Sequence, residues 1–110
     1  MNNIKDLVSV VMSCYNSQKT IDEAIDSIIN QSYNNLELLI MDDASNDGSF
    51  QKLNYYKNKY QNIRIFRNKK NLGLTKSLNL LINKSSGEFI ARQDSDDTSF
   101  KNRIDEQVKE

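Results

Sequence analysis

The sequence predicts an α/β fold, a mostly parallel sheet of about four strands flanked by helices. Short apolar runs rich in β-branched residues alternate with segments whose apolar positions recur at helical spacing, the pattern of β-α-β units with right-handed crossovers. Those runs are nearly continuous in apolar character, as in strands covered on both faces. A third observation gives the sheet a functional direction. Polar, carboxylate-bearing or turn-prone clusters follow strands one, two and four, whereas the helix-to-strand connections at 32–35, 61–62 and 84–86 carry no carboxylate. In an open parallel sheet ligands gather outside the carboxyl ends of the strands, near the point where strand order reverses.

The first strand is Leu7-Val8-Ser9-Val10-Val11-Met12, which stops at Ser13-Cys14-Tyr15-Asn16-Ser17. Thr20-Ile21-Asp22-Glu23 then has the form of a capping box, with Thr20 as N-cap and Glu23 reaching back. The helix it opens runs to about Asn30, with Ile21, Ala24, Ile25, Ile28 and Ile29 on one face as core. Leu36-Glu37-Leu38-Leu39-Ile40-Met41 is the second strand and ends in Asp42-Asp43-Ala44-Ser45-Asn46-Asp47-Gly48-Ser49. Counted from Asp43, this stretch has part of a calcium-loop pattern, but its twelfth position is Asn54 where a bidentate Glu is needed, and a strand precedes it. It is not a calcium loop. Phe50, Leu53, Tyr56 and Tyr60 space a second helix, capped by Asp47 or Ser45.

Ile63-Arg64-Ile65-Phe66-Arg67 alternates apolar and basic, which predicts a third strand exposed on one side at a sheet edge. In the turn-rich stretch 68–73, Gly73 answers either a positive φ or the close approach of a ligand to backbone. Leu74, Leu78, Leu81 and Ile82 mark a third helix, ended near Gly87 as a left-handed cap. Strand four runs from Glu88 to about Gln93, and Phe100, Ile104 and Val108 sketch a last helix.

Composition removes several function classes. With 110 residues the chain is one domain, and its 15 basic and 15 acidic side chains cancel, against the basic excess that nucleic-acid binding needs. No apolar run approaches the roughly 18 residues of a membrane span, and the start has no signal-peptide core, so a cytoplasmic location is expected. The single cysteine, Cys14, has no disulfide partner, and without histidine a zinc site or a histidine-activated nucleophile has no basis. Cys14 is read as packing.

Chemistry concentrates in Arg92-Gln93-Asp94-Ser95-Asp96-Asp97 at the end of strand four. Two unit charges about 4 Å apart repel by roughly 1 kcal/mol in water and by more when partly buried, so a cation belongs among these carboxylates. Mg²⁺ or Mn²⁺ takes such oxygens and completes its shell with water and substrate phosphate. The plainer alternative is a solvated loop whose Asp residues cap the next helix. The chain has neither G-x-G-x-x-G nor a P-loop, which favours phosphate held through a metal.

Four stretches, in this order and spacing, resemble the nucleotide-binding half of family-2 glycosyltransferases with the GT-A fold. They are Val8-Ser9-Val10-Val11-Met12-Ser13-Cys14-Tyr15-Asn16, then Ile40-Met41-Asp42-Asp43-Ala44-Ser45-Asn46-Asp47-Gly48-Ser49, then Asn71-Leu72-Gly73-Leu74, and Gly87 through Asp97. The resemblance covers Val8 to about Gln107 and implies a Rossmann-like domain that binds a nucleotide-diphosphate sugar, a UDP-sugar, with Mn²⁺ or Mg²⁺. It implies that Asp43 meets the base edge, helped by main chain near Tyr15 and Asn16, that Asp94 faces the ribose, and that Asp96 ligates the metal. Asp97 is read as the N-cap of the last helix. Arg92, Lys76 and Arg103 approach phosphate or sugar, or serve as charge partners. The family often has a proline before Tyr-Asn and another after the acidic motif; this chain has none. In inverting members an acidic base deprotonates the acceptor hydroxyl. That base is expected beyond residue 110, which leaves an N-terminal, donor-binding part with little transfer of its own. The implied acceptor is a glycan or lipid-linked sugar in surface-polysaccharide synthesis at the cytoplasmic membrane face. The absent acceptor half would leave an apolar surface open to self-association. The rival reading is a binding module without chemistry.

Overall fold

A computed structural model describes residues 3–99 and 101–109. Four strands and four helices alternate: β1 (Ile4–Cys14), α1 (Ile21–Ile29), β2 (Leu36–Asp42), α2 (Ser49–Lys59), β3 (Ile63–Arg67), α3 (Leu74–Lys84), β4 (Gly87–Arg92) and α4 (Arg103–Lys109). The strands form one sheet in the order β3-β2-β1-β4, and every pairing is parallel. The chain steps outward from β1 through β2 to β3, then crosses back to lay β4 on the other side of β1. Strand order therefore reverses between β1 and β4, and the polar segments after those two strands face each other across the reversal.

Residues of alternate parity on the strands supply two cores. Val8, Val10, Met12, Leu38 and Ile40 pack under α1, α2 and α4 through Ile21, Ile25, Ile28, Leu53 and Ile104. Val11, Leu39 and Met41 face the other way, onto Leu78 and Leu81 of α3. One helix covers less of a sheet than three, so on that second face Ile90 of β4 stays 44% exposed. Among the described residues no helix is long and apolar enough to cross a membrane.

Several local expectations change. β1 begins at Ile4 and not Leu7, because it bends at Asp6 (φ 63°) and continues alongside β4 as far as Gly87. Thr20 precedes α1 but its side chain makes no cap bond; its hydroxyl instead donates to the Ser95 carbonyl at 3.0 Å. Asp97 lies six positions before α4 and does not cap it. Gln31 takes that part, its Oε1 accepting from the Ile104 N–H at 2.9 Å. Phe100, expected on the last helix, lies outside the described residues. At the start of α2 the N-cap position falls to Gly48, while Asp47 serves the helix by accepting from the Ser49 N–H at 2.9 Å.

Gly87 is not a left-handed cap. It opens β4 as a buried residue whose N–H donates to Ser9 Oγ at 2.8 Å. A Cβ there would stand 2.7 Å from both the Leu7 carbonyl oxygen and the Ser9 nitrogen, so backbone proximity and not φ requires glycine. Gly87→Ala is expected to lower stability by about 1–3 kcal/mol, the usual cost of overpacking, read as a lower urea midpoint at unchanged slope.

Candidate functional site

The loops after β1, β2 and β4 enclose an open cleft of about 1040 Å³. Tyr15 and Asn16 come to it from β1, Asp47 from β2, and Arg92, Asp94 and Asp96 from β4. Asn16 ties the first two loops together by donating its N–H to Ser45 Oγ at 2.9 Å and accepting from the Asn46 N–H at 3.0 Å. That exchange holds Asn16 at φ 48° and Ala44 at φ 62°, left-handed conformations that Asn tolerates and Ala adopts at a cost of order 1 kcal/mol. Gln18 repeats the stitch, with its N–H on Asp47 Oδ2 at 3.3 Å and its Oε1 under the Gly48 N–H at 2.9 Å. The third loop joins through Ser17 and Ser95, whose hydroxyl oxygens share a hydrogen bond at 2.7 Å.

Oxygens of Asp94, Asp96 and Asp97 come within 4.8 Å of one another. Asp94 pairs with the exposed Arg92 at 3.2 Å, an ion pair of little energetic weight, and the other two carboxylates are exposed. Oxygens that share one hard divalent cation at about 2.1 Å stand no more than about 4.2 Å apart, so two or three of these side chains would hold such an ion after a small inward turn, with phosphate and water completing its shell.

Asp43 is placed differently. It is 2% exposed and does not line the cleft. Its Oδ1 accepts from the Leu72 N–H at 2.8 Å and from Asn68 Nδ2 at 2.9 Å, and its Oδ2 from the Gly73 N–H at 2.9 Å. Burial pushes its carboxyl up, but the donors from Leu72, Asn68, Gly73 and Ser77 together outweigh burial and hold it below the usual range. Gly73 sits at φ 92° with nothing within 4 Å of a would-be Cβ, so its positive φ is the reason for glycine. Lys76 is exposed on α3 and does not line the cleft, although Leu74 of the same helix does. Cys14 is buried, and burial, with Asp42 beside it, pushes its thiol up against the pull of hydroxyls from Ser17 and Ser49. That environment suits packing and not a thiolate.

Sequence reasoning missed Lys52, Gln18, Thr20 and Ser95 on the cleft wall. Lys52 reaches it from α2 held by Asp22, 2.6 Å away, and by the Gln18 carbonyl at 2.7 Å. No sequence spacing links these positions; the thirty residues between Asp22 and Lys52 are bridged only by the packing of α1 on α2.

The family model for glycosyl transferase family 2 matches residues 9–110. EpsE of Bacillus subtilis (strain 168), whose glycosyltransferase name is itself provisional, is 45% identical over 92% of this chain and 37% of its own length. S. aureus TarS 1-349 in complex with UDP-GlcNAc superposes with a TM-score of 0.86 at 30% identity, over 93% of this chain and 30% of that one. The mannosyltransferase PcManGT from Pyrobaculum calidifontis, in complex with GDP-Man and Mn²⁺, gives a TM-score of 0.77 at 25% identity over 83% of this chain and 28% of that one. The chain thus spans about a third of the proteins it matches.

Asp43→Asn would turn one acceptor into a donor facing backbone N–H groups. It is expected to lower stability at pH 7 by about 1.5–3 kcal/mol, the scale of bonds to a charged partner. Because the folded carboxyl lies below its ordinary value of 3.8, its contribution is complete above about pH 4 and is lost as pH falls through the folded value. Urea titrations between pH 7 and pH 2 should show that acid loss in the wild type and a flatter profile in Asp43→Asn.

Proposed function

The chain belongs to glycosyl transferase family 2, and we propose that it forms the donor-binding part of a metal-dependent glycosyltransferase that acts on a nucleotide-diphosphate sugar, a UDP-sugar. The observation that carries this reading is the meeting of Tyr15 and Asn16 with Asp94 and Asp96 across one cleft at the strand-order reversal. Its volume, about 1040 Å³, is at the upper end of ligand pockets. The UDP-GlcNAc held by TarS supports the choice of base, and the Mn²⁺ beside GDP-Man in PcManGT supports a divalent metal.

In this reading the base lies against Tyr15 and Asn16, the ribose near Asp94, and the diphosphate beside Asp96. Asp97 adds a second oxygen for the metal in place of the capping role it does not have. A metal so held supplies positive charge against the charge gathering on the departing diphosphate. Asp43, held by donors from Leu72, Asn68, Gly73 and Ser77, accepts from a base N–H only once the 71–73 segment gives way and frees one of its oxygens. Arg92 lines the cleft beside Asp94 and serves as a phosphate partner. Transfer with inversion needs a base for the acceptor hydroxyl, and we place that base outside these 110 residues. The acceptor is a glycan or lipid-linked sugar, and the parent works at the cytoplasmic membrane face in surface-polysaccharide synthesis. Phe89 and Ile90, 39% and 44% exposed on the edge strand β4, are the surface through which the isolated chain would self-associate.

Calorimetry of UDP, GDP and dTDP with and without Mn²⁺ tests the reading. UDP is expected to bind tightest and to gain affinity from Mn²⁺, and Asp96→Ala to remove at least about tenfold of the metal-dependent affinity. UDP binding that ignores both the metal and the substitution rules the assignment out. A donor-hydrolysis assay on the same sample separates the rival: binding without turnover marks these residues as a binding module, turnover marks them as chemically competent.

A further inference from the structure

The carboxylate loop leaves β4 at Arg92 and meets α4 at Arg103, and the Arg103 side chain turns back to close it. Its Nη2 donates to the Arg92 carbonyl at 2.7 Å, and its Nη1 donates to Gln93 Oε1 at 2.8 Å and to Ser99 Oγ at 2.9 Å. One guanidinium therefore grips both ends of the segment that carries Asp94, Asp96 and Asp97. Gln93 crosses its middle. It is 4% exposed, accepts a second bond from the Ser99 hydroxyl, and donates through Nε2 to the Asp97 carbonyl at 2.7 Å. Below that bond the Asp97 N–H donates to the Asp94 carbonyl at 3.1 Å, so the turn bearing the carboxylates is held from inside and from beneath.

Arg103 gives these bonds to neutral oxygens and forms no ion pair among the described residues. Charge balance therefore does not explain its place, and its fork geometry does. Three carboxylates drawn within 4.8 Å repel, and an unbraced loop would relax outward and separate the ligand atoms. A planar fork resists that motion at two points, which a lysine ammonium cannot do.

We infer that Arg103 and Gln93 are positioning residues for the divalent metal, bracing the 94–97 turn so that its carboxylates are preset for binding. This rests on the metal–diphosphate reading above and adds residues that touch neither metal nor nucleotide. It also makes the docking of α4 a condition of metal affinity, since Arg103 is the first residue of that helix.

Arg103→Lys, which keeps the charge and loses the fork, and Gln93→Leu, which keeps the volume and loses both polar arms, are the test variants. Mn²⁺ uptake beside UDP is read from loss of the free-ion paramagnetic resonance signal. Hydrogen exchange of the 94–98 amides is read in the metal-free chain, and UDP affinity without metal serves as the fold control. Both variants are expected to weaken Mn²⁺ binding by about 10–100-fold, as loss of a group that orients metal ligands does, and to speed exchange across 94–98. Metal-free UDP affinity should stay at the wild-type value. Wild-type Mn²⁺ affinity and exchange in both variants overturn the inference, as does an equal loss of metal-free UDP affinity, which would mark a general structural role. A wild-type chain that takes up no Mn²⁺ beside UDP sinks the metal reading and this inference together, an outcome distinct from variants that match a metal-binding parent. Should Arg103→Lys fail to fold, Ser99→Ala removes one acceptor of Arg103 and one donor to Gln93 while leaving the guanidinium in place; a smaller loss in the same two readouts is expected, and no loss overturns the brace.

Discussion

Crowded negative charge at the end of β4 is the constraint around which the rest of this molecule is arranged. Asp94, Asp96 and Asp97 repel one another, yet their oxygens share a space only 4.8 Å across. Little of what holds them there is itself ionic. Ser17 and Thr20 hold Ser95 from the β1 side, Gln93 holds the Asp97 carbonyl from below, and Arg103 fastens the two ends. Hydrogen bonds to neutral acceptors fix a backbone without pairing the carboxylates it carries, so the oxygens of Asp96 and Asp97 remain open to a cation. A ring of lysines would have relieved the repulsion and removed the site. Among the described residues the one cation paired directly with these carboxylates, Arg92 with Asp94, is exposed at both partners and contributes little.

The same economy of charge separates the two acidic loops. Asp43 at the end of β2 is also a carboxylate, but backbone N–H groups from Leu72 and Gly73 donate to it, hold its carboxyl below the usual range and tie the β3–α3 loop to the sheet. The loop after β4 has the opposite balance, with few donors and open oxygens. Two strand ends that look alike in sequence, each a strand running into consecutive acids, thus divide into a buried, donor-rich carboxylate and an exposed, donor-poor cluster. Donor supply makes the difference, and donor supply comes from segments about thirty residues away.

That distance explains what was legible in the sequence. The elements were, because period is local: the apolar runs gave all four strands, the spacing of Ile21, Ala24, Ile25 and Ile28 gave α1, and the alternation in Ile63–Arg67 gave an edge strand. The cleft was legible in outline, because parallel strands send their carboxyl ends to one side and Tyr15, Asn16, Asp94 and Asp96 had to meet near the reversal. Capping was read wrongly at Thr20 and Asp97. A hydroxyl or carboxylate before a helix has the right chemistry for a cap, and nothing local reveals that a carbonyl from another loop, or Gln31 from behind α1, takes precedence. Gly87 failed in the same way, since its requirement is the backbone of β1 and not its own φ. Gln93 carried no signal in the sequence, and Arg103 was legible only as a basic residue near acids, approaching phosphate or pairing with a charge; its bonds run instead to Gln93, Ser99 and the Arg92 carbonyl, which no local spacing reveals.

Burial sorts the molecule into a part that is finished and a part that is not. The cleft stands on strands whose side chains are buried in two cores, with Val10, Met12, Leu39 and Ile40 at 0% exposure. The exposed apolar side chains Ile82, Phe89 and Ile90 lie off the cleft, on α3 and on edge strand β4, next to the strand that delivers the carboxylates. A partner laid along that edge would approach Arg92 and the groove between β4 and α4, which Arg103 also lines. A partner covering that edge would therefore lie against Arg103, whose bonds to the Arg92 carbonyl, Gln93 and Ser99 close the acidic loop. If donor binding runs through the metal site proposed above, Arg103 would couple it to whatever meets the β4 edge, and the coupling would have a sign: a partner that seats α4 more firmly would tighten the grip on the carboxylates, and one that pulls α4 away would loosen it.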